Sequence, residues 1–479
     1  SGQIPAFAET IYKKSAIRLV SDYPVAAYLI VSGDDQGEAT MLLPISSLGL
    51  NYSLPSYIDP TSQIASLIPY PAIAGISAPF DNTRITVKRY GTMVFQFPIS
   101  KTLDAGDCWY LYFAGNYGDL SGVEVTADKP ISIITANQFA YIPIQNKPGN
   151  YLLEMELPTM MWGTSYHIPK YLKRVQNPIT KIYANQPDTK IFVNGAYYTT
   201  LLSTTNPSNF IEYRIPFTNV NGIEVISADK PIAVNVYQTS YTEEIPNRDF
   251  MLPNRICLVP IEQYSKSLLM NAPRYLMLNP NTQFNLVLIT KVNIDGSIPD
   301  NLEIAYWNNN TLIKQKVSQL NIIDKKDANY IAGSRYSQIT IPITFKSNFE
   351  VFGESFSAYI ITTDGEAFSG FAGGINFKNM LTGDSEPPRP IWTQYCDGTV
   401  TGITTDFPED DQIRSNLNLP IYHSNVSKNY EKAFASVIPG STKSMNWNLK
   451  VRNKSQNAFA VITFRDYAGN DTTITIEYK

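Results

Sequence analysis

Only two histidines, His167 and His423, and three cysteines, Cys108, Cys257 and Cys396, stand in a chain of 479 residues. Zinc sites and histidine-based triads draw on these residue types. Here they are far apart in sequence and show no Cys-x-x-Cys spacing, which speaks against a structural zinc site or a thioredoxin-like centre. At most one disulfide can form within the chain. Three buried, reduced cysteines are the preferred reading, because a free cysteine packs as a small apolar side chain, and a pair plus a free thiol is the alternative. The sequence has no GxSxG elbow, no HExxH, no GxxxxGK[ST] and no GxGxxG between a strand and a helix. A glycosidase needs only two carboxylates, so it stands as the least favoured reading in a chain with 42 acidic residues. The expectation is a non-enzyme, with no catalytic, cofactor-binding or metal-binding residue assigned and no cofactor.

Three aspartates invite a calcium reading, since calcium takes carboxylate oxygens. Asp22, Asp128 and Asp229 stand in Ser-Asp-Tyr-Pro-Val, Ala-Asp-Lys-Pro-Ile and Ala-Asp-Lys-Pro-Ile, spaced 106 and 101 residues apart. No second acid recurs beside them as a ligand set requires. The preferred reading is a turn feeding a strand: Asp accepts backbone N–H bonds, the residue before Pro is held extended, and Pro tolerates a strand's first position. Glu409-Asp410-Asp411, near Asp406, reads as a solvated loop rather than a calcium loop, which needs spaced oxygens and usually a glycine. Trp162 with Tyr166 could stack a sugar, but Leu48 and Tyr264 occupy the positions equivalent to Trp162, which favours packing.

The elements that carry these residues are strands. Helical periodicity is almost absent, whereas Arg84-Ile85-Thr86-Val87-Lys88 and Gln338-Ile339-Thr340-Ile341-Pro342-Ile343 alternate with period two. With 32 prolines and 26 glycines as punctuation, antiparallel strands are expected over a parallel sheet. The fold class is therefore all-β: tandem antiparallel β-sandwich modules and a C-terminal immunoglobulin-like sandwich, with propeller-like closure of the repeats as the alternative.

A repeated local order supports the modules. Gly122-Val123-Glu124-Val125 and Gly222-Ile223-Glu224-Val225 precede the second and third Asp-x-Pro. Each copy is followed by a Pro with an apolar or aromatic residue four positions on and a small one after it: Pro44-Leu48-Gly49, Pro158-Trp162-Gly163 and Pro260-Tyr264-Ser265. A degenerate copy begins at Phe349-Glu350-Val351-Phe352-Gly353 and has lost both signatures. The expected divisions are residues 1–76, a half-unit start; 77–174 and 175–272, two full repeats; 273–384, the degenerate copy; and 385–479, the immunoglobulin-like module. The last begins after the stiff Glu386-Pro387-Pro388-Arg389-Pro390 joint and ends in a hairpin turning at Asp466-Tyr467-Ala468-Gly469-Asn470.

These motifs resemble the IgGFc-binding protein N-terminal domain family: Leu43-Pro44 with Leu48-Gly49 and Tyr52, then Asp128-Lys129-Pro130, then Leu157-Pro158 with Trp162-Gly163, and a glycine-rich ending through Phe371-Ala372-Gly373-Gly374. The resemblance spans roughly residues 15–376 and is carried by the ordered set rather than by any single motif. It implies a secreted or cell-surface β protein without catalytic residues. Antibody Fc binding is not carried over, because the cysteine-rich flanks that accompany it are missing.

Composition limits the partners. Charged residues make up only 17%, and 38 basic against 42 acidic residues give a net charge of −4, which excludes an electrostatic footprint for nucleic acid. No apolar run reaches the roughly 18 residues of a membrane-spanning helix. The start at Ser1 fits either a mature secreted chain or a cloning remnant. Five Asn-x-Ser/Thr sequons, at Asn51, Asn309, Asn425, Asn453 and Asn470, are unsurprising in an Asn-rich chain. Low charge suits surfaces that pack against copies of themselves. The expected function is a secreted structural protein, self-associating into a fibre, sheath or matrix or mediating adhesion; the alternative is a glycan- or protein-binding adhesin without self-assembly. Ile4-Pro5-Ala6-Phe7-Ala8-Glu9-Thr10-Ile11-Tyr12 is expected to be able to add to a neighbour's sheet edge.

Overall fold

The structure, a computed structural model, describes the chain except for residues 1–6, 22–24, 33–36, 59–69, 89–97, 114–117, 145–148, 173–177, 215–221, 241–251, 274–282, 310, 329–334, 364–369, 378–383, 411–413 and 425. Among the described residues every long element is a strand, and the helical pieces are short 3-10 turns. Nearly all pairings are antiparallel. One is not: Gly222 and Ile223 lie parallel to Asp327 and Ala328, where strands of two successive units meet edge to edge.

Three long strands, Val123–Ala140, Gly222–Gln238 and Asn348–Thr363, organise the repeats. The front half of Val123–Ala140 pairs with Gly49–Leu54 and Thr83–Lys88, and its rear half with Ala72–Ser77 and Asn150–Met155. Gly222–Gln238 repeats the scheme, its front half against Gly163–Ile168 and Thr189–Val193 and its rear half against Ile179–Ala184 and Asn254–Cys257. Each long strand therefore belongs to both layers of a sandwich. The alternating apolar residues it offers to the gap, such as Val123, Val125, Ile131 and Ile133, are fully buried, each contributing about 1.5–3 kcal/mol.

The Asp-Lys-Pro motif sits at the crossing from one layer to the other, in mid-strand, not in a turn that starts a strand. Register slips there: Gly49 faces Ile131 while Asn51 faces Thr126. Such a bulge is where a strand can change sheets and where proline's missing donor costs nothing. Asp128 Oδ1 accepts the Arg84 N–H at 2.8 Å and Asp229 Oδ1 accepts the Lys190 N–H at 2.8 Å. Lys129 and Lys230 donate to main-chain carbonyls of the neighbouring turn, at Asp81 and Pro187. Asp22 lies outside the described residues.

The modules are serial in sequence and closed in space. After each Asp-x-Pro strand comes an inner strand: Gly37–Met41, Asn150–Met155, Asn254–Cys257 and, after the degenerate copy, Gly370–Ala372. Each contacts the next, and the last contacts the first. Asn150 binds across the ring, exchanging hydrogen bonds with Gly37 and donating to the Pro253 carbonyl at 3.0 Å. The hairpin Tyr28–Ser32 with Gly37–Met41 lies against the core of the degenerate copy, and Tyr28 donates its hydroxyl to the Gly373 carbonyl at 2.8 Å.

Past each inner strand, Pro44, Pro158 and Pro260 open a one-turn 3-10 segment that delivers the chain to the next unit. Glycine follows in two of these places because the next unit's proline occupies the space: a Cβ on Gly49 would meet Pro158 Cβ at 2.2 Å, and one on Gly163 would meet Pro260 Cβ at 2.4 Å.

The segment Phe7–Tyr12 uses its edge within the chain, pairing with Cys108–Phe113 from Phe7↔Phe113 to Tyr12↔Cys108. For these residues of the expected edge segment the partner edge is supplied by the chain's own sandwich; Ile4, Pro5 and Ala6 lie outside the described residues. The C-terminal part holds two sheets, one ordered Arg389–Gln394, Val400–Thr405, Ser444–Val451, Tyr430–Phe434, the other Ile421–Tyr422, Ala458–Arg465, Asp471–Tyr478. The final hairpin forms around Asp466 as its turn residues require.

Candidate functional site

The inner strands carry charged residues into the middle of the ring. Glu38, Glu154 and Arg255 lie on three of them and Glu156 directly follows one, all within side chains that solvent barely reaches. Strand geometry makes this possible: the alternate side chains of Asn150–Met155 point either to a sandwich core or to the ring centre.

Arg255 is the hub. Its Nη2 reaches Glu156 Oε1 at 2.7 Å and Oε2 at 3.0 Å, Nη1 donates to Thr135 Oγ1 at 2.6 Å, and Nε donates to Asn235 Oδ1 at 2.9 Å. Thr135 in turn donates to Glu156. Glu154 accepts from the Thr40 hydroxyl at 2.5 Å and from the Cys257 N–H at 2.9 Å. Glu38 keeps one carboxylate oxygen without a hydrogen-bond partner. Three carboxyls thus surround a single guanidinium. Burial pushes the Glu154 carboxyl up to about 7 against the pull of Arg255. Burial, with Glu154 beside it, holds Glu38 well above the carboxylate range. An acid pair of this kind could move protons, but these side chains are buried, and their position suits tying the inner strands to the long strands in register.

A second buried cation joins the first two sandwiches. Lys181 donates to the Ser56 carbonyl at 2.9 Å and to Ser121 Oγ at 3.1 Å, pairs with Asp119 at 3.3 Å, and lies 5.1 Å from the Tyr57 ring centre. Such a bolt is charge-paired and aromatic-walled, as a buried ammonium requires.

The remaining sequence candidates fall as follows. His167 is buried, shares a hydrogen bond with the Tyr264 hydroxyl at 2.8 Å, and is pushed down to about 3 by burial. His423, in the C-terminal part, bonds Thr463 at 2.8 Å. Trp162 lies in the core, and Tyr166 gives its hydroxyl to the Ile232 carbonyl, as Tyr52 does to Ile131, so neither ring offers a face to a sugar. All three cysteines are free, but only Cys257 is buried; Cys108 is half-buried and Cys396 exposed. Burial was expected for all three, and the last two miss it because Cys108 lies on a sheet face and Cys396 in the tight turn Tyr395-Cys396-Asp397-Gly398. Glu409 and Asp410 are exposed, and Asp411 is outside the described residues.

Asp406 leaves the acid run next to it and turns inward. Its carboxylate meets those of Asp384 and Asp466, with ligand-capable oxygens of all three within 4.8 Å of one another. They sit where the C-terminal part docks on the ring: Tyr467 reaches the Leu48 carbonyl, and Asn418 Nδ2 donates to the Ser46 carbonyl at 2.8 Å. Neither this cluster nor the Arg255 hub was marked in the sequence. The hub's signal is the run Leu153-Glu154-Met155-Glu156-Leu157, where acids interrupt a segment otherwise suited to a core.

Exposed apolar residues lie both on strands and in the stretches between them. Ile391, 70% exposed, and Tyr395, 53% exposed, lie on and just past the edge strand Arg389–Gln394, with Ile403 opposite Ile391. Ile17, Leu19 and Val20 project from the exposed stretch just before Asp22. In the second and third repeats the equivalent residues are the front half of the long strand.

Comparison with known proteins gives three findings. The profile of the IgGFc binding protein family matches residues 38–334. The human IgGFc-binding protein is 27% identical over 201 residues, covering 40% of this chain; the match spans 4% of the human protein's length. A marsupial T cell receptor aligns at 8% identity over 73% of this chain and 95% of its own, but with a TM-score of 0.13 it carries no argument about fold.

Proposed function

The chain belongs to the IgGFc-binding protein family, and on that premise we propose that it is an extracellular structural protein that associates with copies of itself through open strand edges. Family membership supports an extracellular binding or structural role rather than catalysis. The observation that carries the self-association is the edge strand Arg389–Gln394, whose outer row pairs Ile391 with Ile403 and continues to Tyr395. An edge strand left unpaired and apolar on its exposed face is a template for another strand. Low overall charge adds to this, since few ions need desolvation at the contact.

Analytical ultracentrifugation and electron microscopy of the purified chain test the reading. Concentration-dependent oligomers or filaments are expected, weakened by Ile391→Lys. Monodisperse monomers at every concentration overturn it. A second reading, a glycan-binding adhesin, draws on Trp307, 64% exposed beside Leu312 on the hairpin Glu303–Asn308 with Thr311–Lys316. Binding on a glycan array that Trp307→Ala abolishes would favour it. The name of the human relative refers to antibody Fc, and nothing in the chain's own chemistry argues for that partner.

A further inference from the structure

We propose that Asp384, Asp406 and Asp466 form a calcium site at the joint between the ring and the C-terminal sandwich. The three come from distant parts of the chain: the start of the proline-rich joint, the end of Val400–Thr405, and the turn of the final hairpin. They are 8%, 1% and 0% exposed. Among the described residues none makes an ion pair, and Arg465, whose charge acts on Asp466, is held by Asp471 at 2.6 and 2.7 Å.

The hydrogen bonds leave part of each carboxylate's accepting capacity unused. Asp384 accepts the N–H groups of Glu386 at 3.1 Å and Ser415 at 2.8 Å, one on each oxygen. Asp466 accepts from the Asn470 main chain at 2.8 Å and side chain at 2.7 Å, again one on each oxygen. Each of those oxygens keeps a further lone-pair direction. Neither Asp406 oxygen meets full hydrogen-bond geometry, with the Asn416 and Phe407 N–H groups only near enough to act on it, and the hydroxyl of Ser415 next to Asp384 has no partner. A carboxylate left so deep without a partner is costly.

A divalent cation resolves all of this at once. The donors are oxygens only, which selects a hard cation over zinc or copper. Calcium accepts irregular shells of six to eight oxygens, whereas magnesium demands near-octahedral geometry and retains water, for which a site this buried is poorly suited. Binding would also fix Tyr467, next to Asp466, in its docked position on Leu48, so the ion would stiffen the joint as well as the sandwich.

The test is calcium titration of the intact chain after stripping with EGTA, read by calorimetry and by thermal unfolding. One calcium per chain is expected, with Kd between about 10⁻⁷ and 10⁻³ M, a Tm that rises with calcium, and weaker binding of magnesium. Asp406→Asn keeps the side chain's shape and removes a repelled charge, so it should fold, match or exceed the parent's Tm without calcium, and bind calcium at least tenfold more weakly. Asp384→Asn should weaken binding likewise, and Glu409→Gln, on the exposed loop nearby, should not. No heat and no Tm shift up to about 10 mM calcium, parent affinity in both aspartate variants, or magnesium binding tighter than calcium would each overturn the proposal.

Discussion

Tyr467 donates its hydroxyl to the main-chain carbonyl of Leu48, a residue 419 positions earlier. The donor belongs to the turn of the last hairpin and the acceptor to the 3-10 segment that leaves the first inner strand. The phenol ring packs into the largest core cluster of the ring. A turn residue of one sandwich is thereby part of another's core.

Tyr467→Phe should cost about 1–3 kcal/mol, since it leaves a buried carbonyl without its donor, and should speed protease cleavage at the proline-rich joint. Denaturant unfolding combined with limited proteolysis measures both. Unchanged stability together with unchanged cleavage would show that docking does not depend on this contact.

Arg255→Met should be among the most damaging single changes. It leaves Glu156, Glu154 and Glu38 buried around a lost positive charge, and breaking such a set costs about 3–5 kcal/mol. The loss should shrink as pH falls toward 4, where the carboxyls take up protons. A urea-midpoint series from pH 4 to 8 reads this directly.

Glu154 supplies a pH dependence with a definite sign. Its folded value of about 7 lies above the ordinary 4.5, so the folded state holds this proton more tightly. Its contribution is fully present below pH 4.5 and is lost as pH rises to 7. His167, depressed from 6.5 to about 3, acts in the opposite sense, contributing above 6.5 and losing that contribution as pH falls to 3. Between pH 4.5 and 6.5 the two oppose each other in the parent. Glu154→Gln removes one of them, so the variant should gain stability relative to the parent as pH rises from 4.5 to 7. A pH-independent difference between the two would refute this.

Gly49→Ala and Gly163→Ala should each lower stability by about 1–3 kcal/mol. The added methyl meets the next unit's proline at 2.2 or 2.4 Å, and the two effects should be similar because the sites are repeats of one another. Chemical denaturation of both variants is sufficient; a neutral result at either would mean the repeat junction gives way easily.

How much of this was legible varied with how local the physics is. Period-two alternation located strands such as Thr83–Lys88 and Tyr336–Pro342, and the repeated Pro-Leu-Gly and Pro-Trp-Gly signatures marked positions that turn out to be structurally equivalent, where one unit's glycine packs on the next copy's proline. The Asp-Lys-Pro motif was read correctly as a hydrogen-bonding device and wrongly as a turn. Its place in mid-strand depends on pairing with Gly49–Leu54, which a local window does not contain. The aspartate cluster was hidden for the same reason. Asp406 looked like a member of the Glu409-Asp410-Asp411 run, yet its neighbours in space are Asp384 and Asp466, brought in by the joint and the last hairpin. The Arg255 hub required knowing that inner strands far apart in sequence converge.

That convergence has a consequence for synthesis. The hairpin Tyr28–Ser32 with Gly37–Met41 finds its packing surface, and Tyr28 its hydrogen bond to Gly373, only after more than 300 further residues have emerged. Until then its apolar side chains wait for a partner not yet made, and loop closure over such a distance is slow. The ring cannot be completed unit by unit as it leaves the ribosome. Its last event is the meeting of its earliest and latest strands.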